Sequence, residues 1–384
     1  MAIMRRIMKN MLIIIFLAAE GMVVGSRLLL NVVGYRDPAV PAVYIFGDST
    51  FDVGTNNFLN DTKSKADMPF YGIDYSPSQS KPTGRFSNGY NTADCIVQLL
   101  GFKESPPPFL YLVENDTEDF NTQILKGVNF AGGGAGILHH TGKKRFGRVI
   151  SMEEQIEQFS RVGDNMTRYL NESAAKGIIN KSLILISVGS NDINEFLMFN
   201  VSNSSSLIQQ LQQFLPDLIA SYQAHLTNLI NLGGRKFGIL GLAPLGSVPD
   251  VRGSYGGNSS NEINAVAQLF NYGLYYMLLD LNSSKFPEFN FSFGNTYSIT
   301  TEMINNPASL GLSDVATACC GNQTLTGGIP CSPNATVCEF RHKFLFWDRH
   351  HPTEYGSQLA ANDLFNGGSE FVSPFNLSTL VQTS

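Results

Sequence analysis

Short apolar runs recur along the chain, each followed by a longer stretch of helical period. "AVYIF" (Ala42 to Phe46), "LILISV" (Leu183 to Val188) and "KFGILGL" (Lys236 to Leu242) lack the polar alternation of a half-exposed strand. That is how strands buried on both faces of a parallel sheet read. Between them the period changes. Ser151 and Glu154 form a capping-box pattern, and Ile156, Phe159, Met166 and Leu170 follow at near-helical spacing. A second helix is predicted from Leu207 to Leu232, kinked at Pro216 and stopped by Gly233 and Gly234. A third, from about Glu262 to Leu281, sets Ile263, Val266, Leu269, Leu274 and Leu278 on one side. Strands alternating with helices predict the α/β class, with helices on both faces of a parallel sheet.

The amino terminus departs from this pattern. Arg5, Arg6 and Lys9 precede the apolar run Met11 to Ala19, which Glu20 breaks after only about half the ~20 apolar residues of a membrane span. A basic stretch, a short apolar stretch and small residues near Ser26 predict a signal peptide over residues 1–25 and a secreted or lumenal chain. With no internal repeat or linker beyond it, residues 26–384 read as one domain. Asn60, Asn115, Asn165, Asn171, Asn180, Asn200, Asn203, Asn258, Asn282, Asn290, Asn322, Asn334 and Asn376 each open an Asn-X-Ser/Thr triplet. Some of them are expected to carry N-linked glycans in such a compartment.

Composition narrows the function. With 43% hydrophobic and 15% charged residues the chain can bury a large core. A net charge of -6, with no basic block beyond Lys143, Lys144 and Arg145, argues against a nucleic-acid partner, which would need a positive face. Cys319, Cys320, Cys331 and Cys338 crowd into one segment and read as two disulfides in an oxidising compartment. Zinc is the rival, but paired C-x-x-C hooks are missing. Adjacent Cys319 and Cys320 are disfavoured as partners because their Cβ vectors diverge, which leaves two pairings open. Cys95 stands apart on an apolar helix face and reads as a buried free thiol.

Chemistry is expected where the apolar runs stop, because open α/β sheets gather function at the carboxyl ends of their strands. The first run ends in "FGDSTFDVGTNNF", placing Ser49 on a turn, as a nucleophile or as a helix cap. The run from Leu183 ends in "GSND", where Asn191 could aim its amide at an oxyanion or merely serve the turn. "VNFAGGGAGI" lets backbone N–H groups approach a ligand closely, yet its glycines fit no nucleotide-binding register. A serine hydroxyl needs a base, and the base needs an orienting carboxylate. "FWDRHHPTE" supplies both: Asp348 can accept from one nitrogen of His351, three residues on, while the other nitrogen points to a serine. His350 is too close to Asp348 to do the same, and Pro352 restricts the backbone of His351. No ligand set supports a metal reading of the two histidines.

These blocks in this order, with "KPTGRFSNGYNTADCI" and the "CCG" of Cys319 to Gly321, resemble the GDSL-type esterase/lipase family of the SGNH hydrolase superfamily, in particular its secreted plant branch. The resemblance spans nearly the whole mature chain. It implies a flavodoxin-like three-layer α/β/α sandwich with a parallel central sheet. It also implies ester hydrolysis with no metal or organic cofactor, on a small-molecule, lipid or polymer-linked ester. Carried over block by block, Ser49 is the nucleophile, His351 the general base and Asp348 its orienter. The backbone N–H groups of Ser49 and Gly133 and the amide of Asn191 form the oxyanion hole. Two positions depart from the family pattern: Thr50 replaces the leucine of "GDSL", and Gly132 stands where a serine is common. An acyltransferase would share every one of these residues, and a catalytically silent secreted binding protein would keep only the cleft.

Overall fold

The computed structural model describes residues 37–115, 119–200, 204–321 and 329–383. The expected signal peptide, Asn203 and Asn322 lie outside the described residues. Ala39–Ser384 forms one compact unit, to which the following refers.

Five parallel strands build the sheet: β1 (Val43–Gly47), β2 (Gly127–Asn129), β3 (Leu183–Ser187), β4 (Lys236–Leu240) and β5 (Asn290–Gly294). Four short strands follow: β6 (Asp314–Ala318), β7 (Cys320–Gly321), β8 (Thr336–Val337) and β9 (Phe344–Phe346). The last, β10 (Val372–Ser373), closes the sheet antiparallel to β5, giving the order β10-β5-β4-β3-β1-β2. The sheet is therefore mostly parallel with one antiparallel edge.

Strand side chains alternate between two cores. Tyr44, Phe46, Ile184, Ile186, Phe237 and Ile239 face one; Val43, Ile45, Leu183, Leu185 and Leu240 face the other. The first core is covered by helices Met152–Tyr169, Glu172–Lys181, Ser204–Asn231 and Asn261–Asp280, the second by Thr92–Leu99, Thr296–Asn305 and Glu354–Asn366. Both faces of β1, β3 and β4 thus meet an apolar core, which is why these three runs show no alternation, whereas β5 reads Asn-Phe-Ser-Phe-Gly and sends Phe291 and Phe293 to the first core alone. The molecule is the expected three-layer α/β/α sandwich.

Local details differ from the sequence reading. Ser151 Oγ caps its helix by accepting from the Glu154 N–H, but the Glu154 carboxylate goes to Arg148 rather than closing a capping box. Leu269 is exposed, and its neighbour Phe270 takes the core position. The helix expected from Leu207 begins at Ser204 and runs through Pro216.

Candidate active site

The site forms at the carboxyl ends of β1 and β3, from three loops and the segment after β9. Gly47 ends β1 at φ 144°, and a Cβ there would stand 2.2 Å from the Ser187 carbonyl oxygen of β3, so only glycine fits. The buried Gln155 amide holds the Gly47 peptide on both sides, accepting from its N–H at 2.9 Å and donating to its carbonyl at 2.8 Å. Asp48 accepts from the Thr50 N–H at 2.9 Å, which tightens the turn and presents Ser49. The Thr50 departure leaves this turn intact.

Ser49 Oγ lies 2.7 Å from His351 Nε2. His351 Nδ1 lies 2.9 Å from both Asp348 oxygens, and Asp348 also accepts from the backbone N–H groups of His350 and His351, each at 2.8 Å. A fifth interaction comes from Tyr71, whose hydroxyl donates to Asp348 Oδ2 at 2.9 Å. Burial alone would raise the Asp348 pKa, but the His351 charge and these hydrogen bonds hold it well below the ordinary carboxylate range. Burial likewise disfavours the His351 cation, yet Asp348 outweighs it and the imidazole pKa is raised. His350 turns aside, its Nε2 3.9 Å from Asp250 Oδ2.

The segment Phe346 to His351 is braced by the cysteine cluster. Cys319 pairs with Cys338 and Cys320 with Cys331, while Cys95 is free and buried. The Cys319 N–H donates to the Phe346 carbonyl at 3.0 Å and the Cys320 N–H to that of Trp347 at 2.7 Å. All four bridged cysteines pack with Tyr71, Phe86 and the fully buried Trp347 in one apolar cluster. Burial pushes the Cys95 thiol pKa well up, in keeping with an inert core position.

The glycine loop brings a correction. The Gly133 N–H, expected to face an oxyanion, donates instead to Asp52 Oδ2 at 2.9 Å, while Asp52 Oδ1 accepts from Gly54 and Thr55 at 2.7 Å each. Asp52 is fully buried and burial raises its pKa to about 6. Gly134, one residue on, lines the cavity with Ser49 and Asn191. Asn191 opens helix Ser190–Asn200 and donates one amide hydrogen to the Ala135 carbonyl at 2.9 Å, which fixes the amide and leaves its second hydrogen for a ligand. Its neighbour Asp192 ties this helix to the same loop, accepting from Ile137, Leu138 and Thr141.

A cavity of about 410 Å³ opens over these groups, with Met68, Phe86, Leu245, Val248 and Met303 among its apolar walls. Sequence reasoning missed Tyr71, Asp52, Asp192 and Gln155, and within the glycine run it chose Gly133 over Gly134. Asp52 and Asp192 carry a signal, since each is an acidic residue just beyond an apolar strand run and close to a glycine. Tyr71 carries none.

The GDSL-like Lipase/Acylhydrolase family profile matches residues 43–364. Among curated proteins, one GDSL esterase/lipase of Arabidopsis thaliana is 38% identical over 346 residues, covering 88% of this chain and 87% of its own. A second is 36% identical, covering 88% of this chain and 92% of its own. A third is 37% identical, covering 84% and 88%. With β1 opening the matched region and the segment after β9 near its end, the chain belongs to the GDSL-like lipase/acylhydrolase family.

Proposed function

We propose that this GDSL-type hydrolase is secreted and cleaves carboxylic esters through an acyl-enzyme on Ser49. The observation that carries the reading is the relay of contacts from Ser49 Oγ to His351 Nε2 at 2.7 Å and from His351 Nδ1 to Asp348 at 2.9 Å, facing the cavity. Ser49 Oγ attacks the ester carbonyl while His351 takes its proton, and Asp348 stabilises the imidazolium that forms. The oxyanion of the tetrahedral intermediate faces the N–H groups of Ser49 and Gly134 and the free amide hydrogen of Asn191. Gly134 takes the place of Gly133 because the Gly133 donor is occupied by Asp52. His351 then returns the proton to the departing alcohol, and a water molecule, deprotonated by His351, releases the acid and restores Ser49.

No helix among the described residues is long and apolar enough to cross a membrane. N-linked glycans are expected first at Asn60, Asn258 and Asn334, whose exposure on loops supports their modification. The test is hydrolysis of 4-nitrophenyl esters of increasing acyl length by the purified protein and by Ser49→Ala. Saturable hydrolysis, lost in the variant, supports the reading. Equal release by both proteins contradicts it.

A further inference from the structure

We infer that the preferred esters carry an anionic group, a carboxylate or phosphate, and that Lys63, Lys65 and Arg145 receive it at the edge of the cavity. The inference rests on the ester-hydrolase reading and extends it to substrate class.

Five charged side chains besides the histidines line the cavity: the carboxylates Asp48 and Asp348 and the cations Lys63, Lys65 and Arg145. Both carboxylates are buried and already engaged, Asp48 by the Thr50 N–H and Asp348 by His351 and Tyr71. The charge left for a ligand is therefore positive, in a chain whose net charge is -6. This arrangement is built by the fold. Segment 61–65 runs antiparallel to segment 145–148: the Lys63 N–H donates to the Phe146 carbonyl at 2.8 Å, the Arg148 N–H to that of Asp61 at 3.1 Å, and Thr62 bridges Gly147. Gly142 and Gly147, both at positive φ, bracket the helical turn Lys143–Phe146 and fix its orientation.

That orientation separates the three basic residues of the run. Lys143 Nζ lies 2.7 Å from His139 Nε2 and Lys144 lies over the Phe199 ring, whereas Arg145 lies over Phe146, itself a cavity residue. Among the described residues Lys65 is paired with Asp67 at 3.7 Å, and neither Lys63 nor Arg145 has an acidic partner. Arg349 nearby is neutralised by Asp250. Cations gathered in a partly apolar cleft focus a field that attracts an anion and is screened by salt.

The experiment compares kcat/KM for 4-nitrophenyl hydrogen glutarate, which carries a carboxylate, with the neutral 4-nitrophenyl pentanoate. The expected ratio favours the anionic ester by about tenfold at low ionic strength and shrinks towards unity at high salt. In folded Lys63→Gln/Arg145→Gln the ratio should fall several-fold. Hydrolysis of both esters with no anionic preference, or a ratio unchanged in the double variant, overturns the inference and leaves the hydrolase reading standing. Hydrolysis of neither refutes both. Acetylated polygalacturonate against acetylated xylan, and phosphatidylglycerol against phosphatidylcholine, then separate a polymer carboxylate from a lipid phosphate as the source. Absence of an anionic preference in both pairs also overturns the inference.

Discussion

Tyr71 and Asp348 stand 277 positions apart in the chain and meet at 2.9 Å, the phenol donating to a buried carboxylate that already accepts from His351. Burial, followed by the Asp348 charge, pushes the Tyr71 pKa well up, so the phenol stays a donor at every working pH. Tyr71→Phe removes that donor and leaves the carboxylate charge less dispersed. The pKa of His351 should then rise further, moving the acidic limb of kcat/KM to higher pH, with the plateau lowered about fivefold, the worth of roughly one hydrogen bond. A pH–rate profile decides. A residue that only packs would lower stability without moving the limb.

In the proposed mechanism the pH dependence of the parent enzyme follows from His351. As a base it works only when neutral, and its pKa lies above the ordinary 6.5. Activity is expected to fall as pH drops through that raised value. Stability runs the other way for this group: with the folded pKa above the unfolded one, its contribution is full below about 6.5 and is lost as pH rises through the folded value. Asp348, with a lowered pKa, contributes above the unfolded carboxylate value and loses that contribution as pH falls. Rate and melting temperature measured across one pH series should therefore show the His351 contribution to stability fading as the activity plateau is reached.

The two adjacent histidines should behave differently. His351→Ala is expected to lower kcat by roughly 10⁴ or more, as when a triad base is removed. His350→Ala should keep most of the activity, because its ring diverges to a centroid distance of 6.1 Å from His351 and points towards Asp250. Equal losses in two folded variants would contradict the assignment.

Asn191→Ala should lower kcat by roughly 10² to 10³ with little change in KM, since an oxyanion donor strengthens only as charge develops. Its bond to the Ala135 carbonyl offers the competing explanation, a merely structural asparagine. That role predicts a loss of about 1 kcal/mol in stability with turnover per folded molecule nearly intact. Measuring kcat and melting temperature together separates the two.

Much of this site was legible from local sequence. A D-x-x-H spacing puts both side chains on one turn, so the Asp348 and His351 contact follows from three residues of chain. The apolar runs announced β1, β3 and β4 because both their faces are buried. β2 and β10 are too short to carry a pattern, at three and two residues. The choice between Gly133 and Gly134 was not legible, since it depends on which way each N–H points, and Asp52, from another loop, takes the first. Tyr71 was invisible for the same reason: its partner lies at the other end of the chain, and only the packing of the disulfide cluster brings them together.

The central claim is that Ser49 is the nucleophile. A fluorophosphonate reacts quickly only with a hydroxyl activated by a base, so the intact protein treated with such a probe should gain one label. Peptide mass spectrometry should place it on Ser49, and His351→Ala should take it up far more slowly. Label on another serine, or none on the folded protein, would contradict the account.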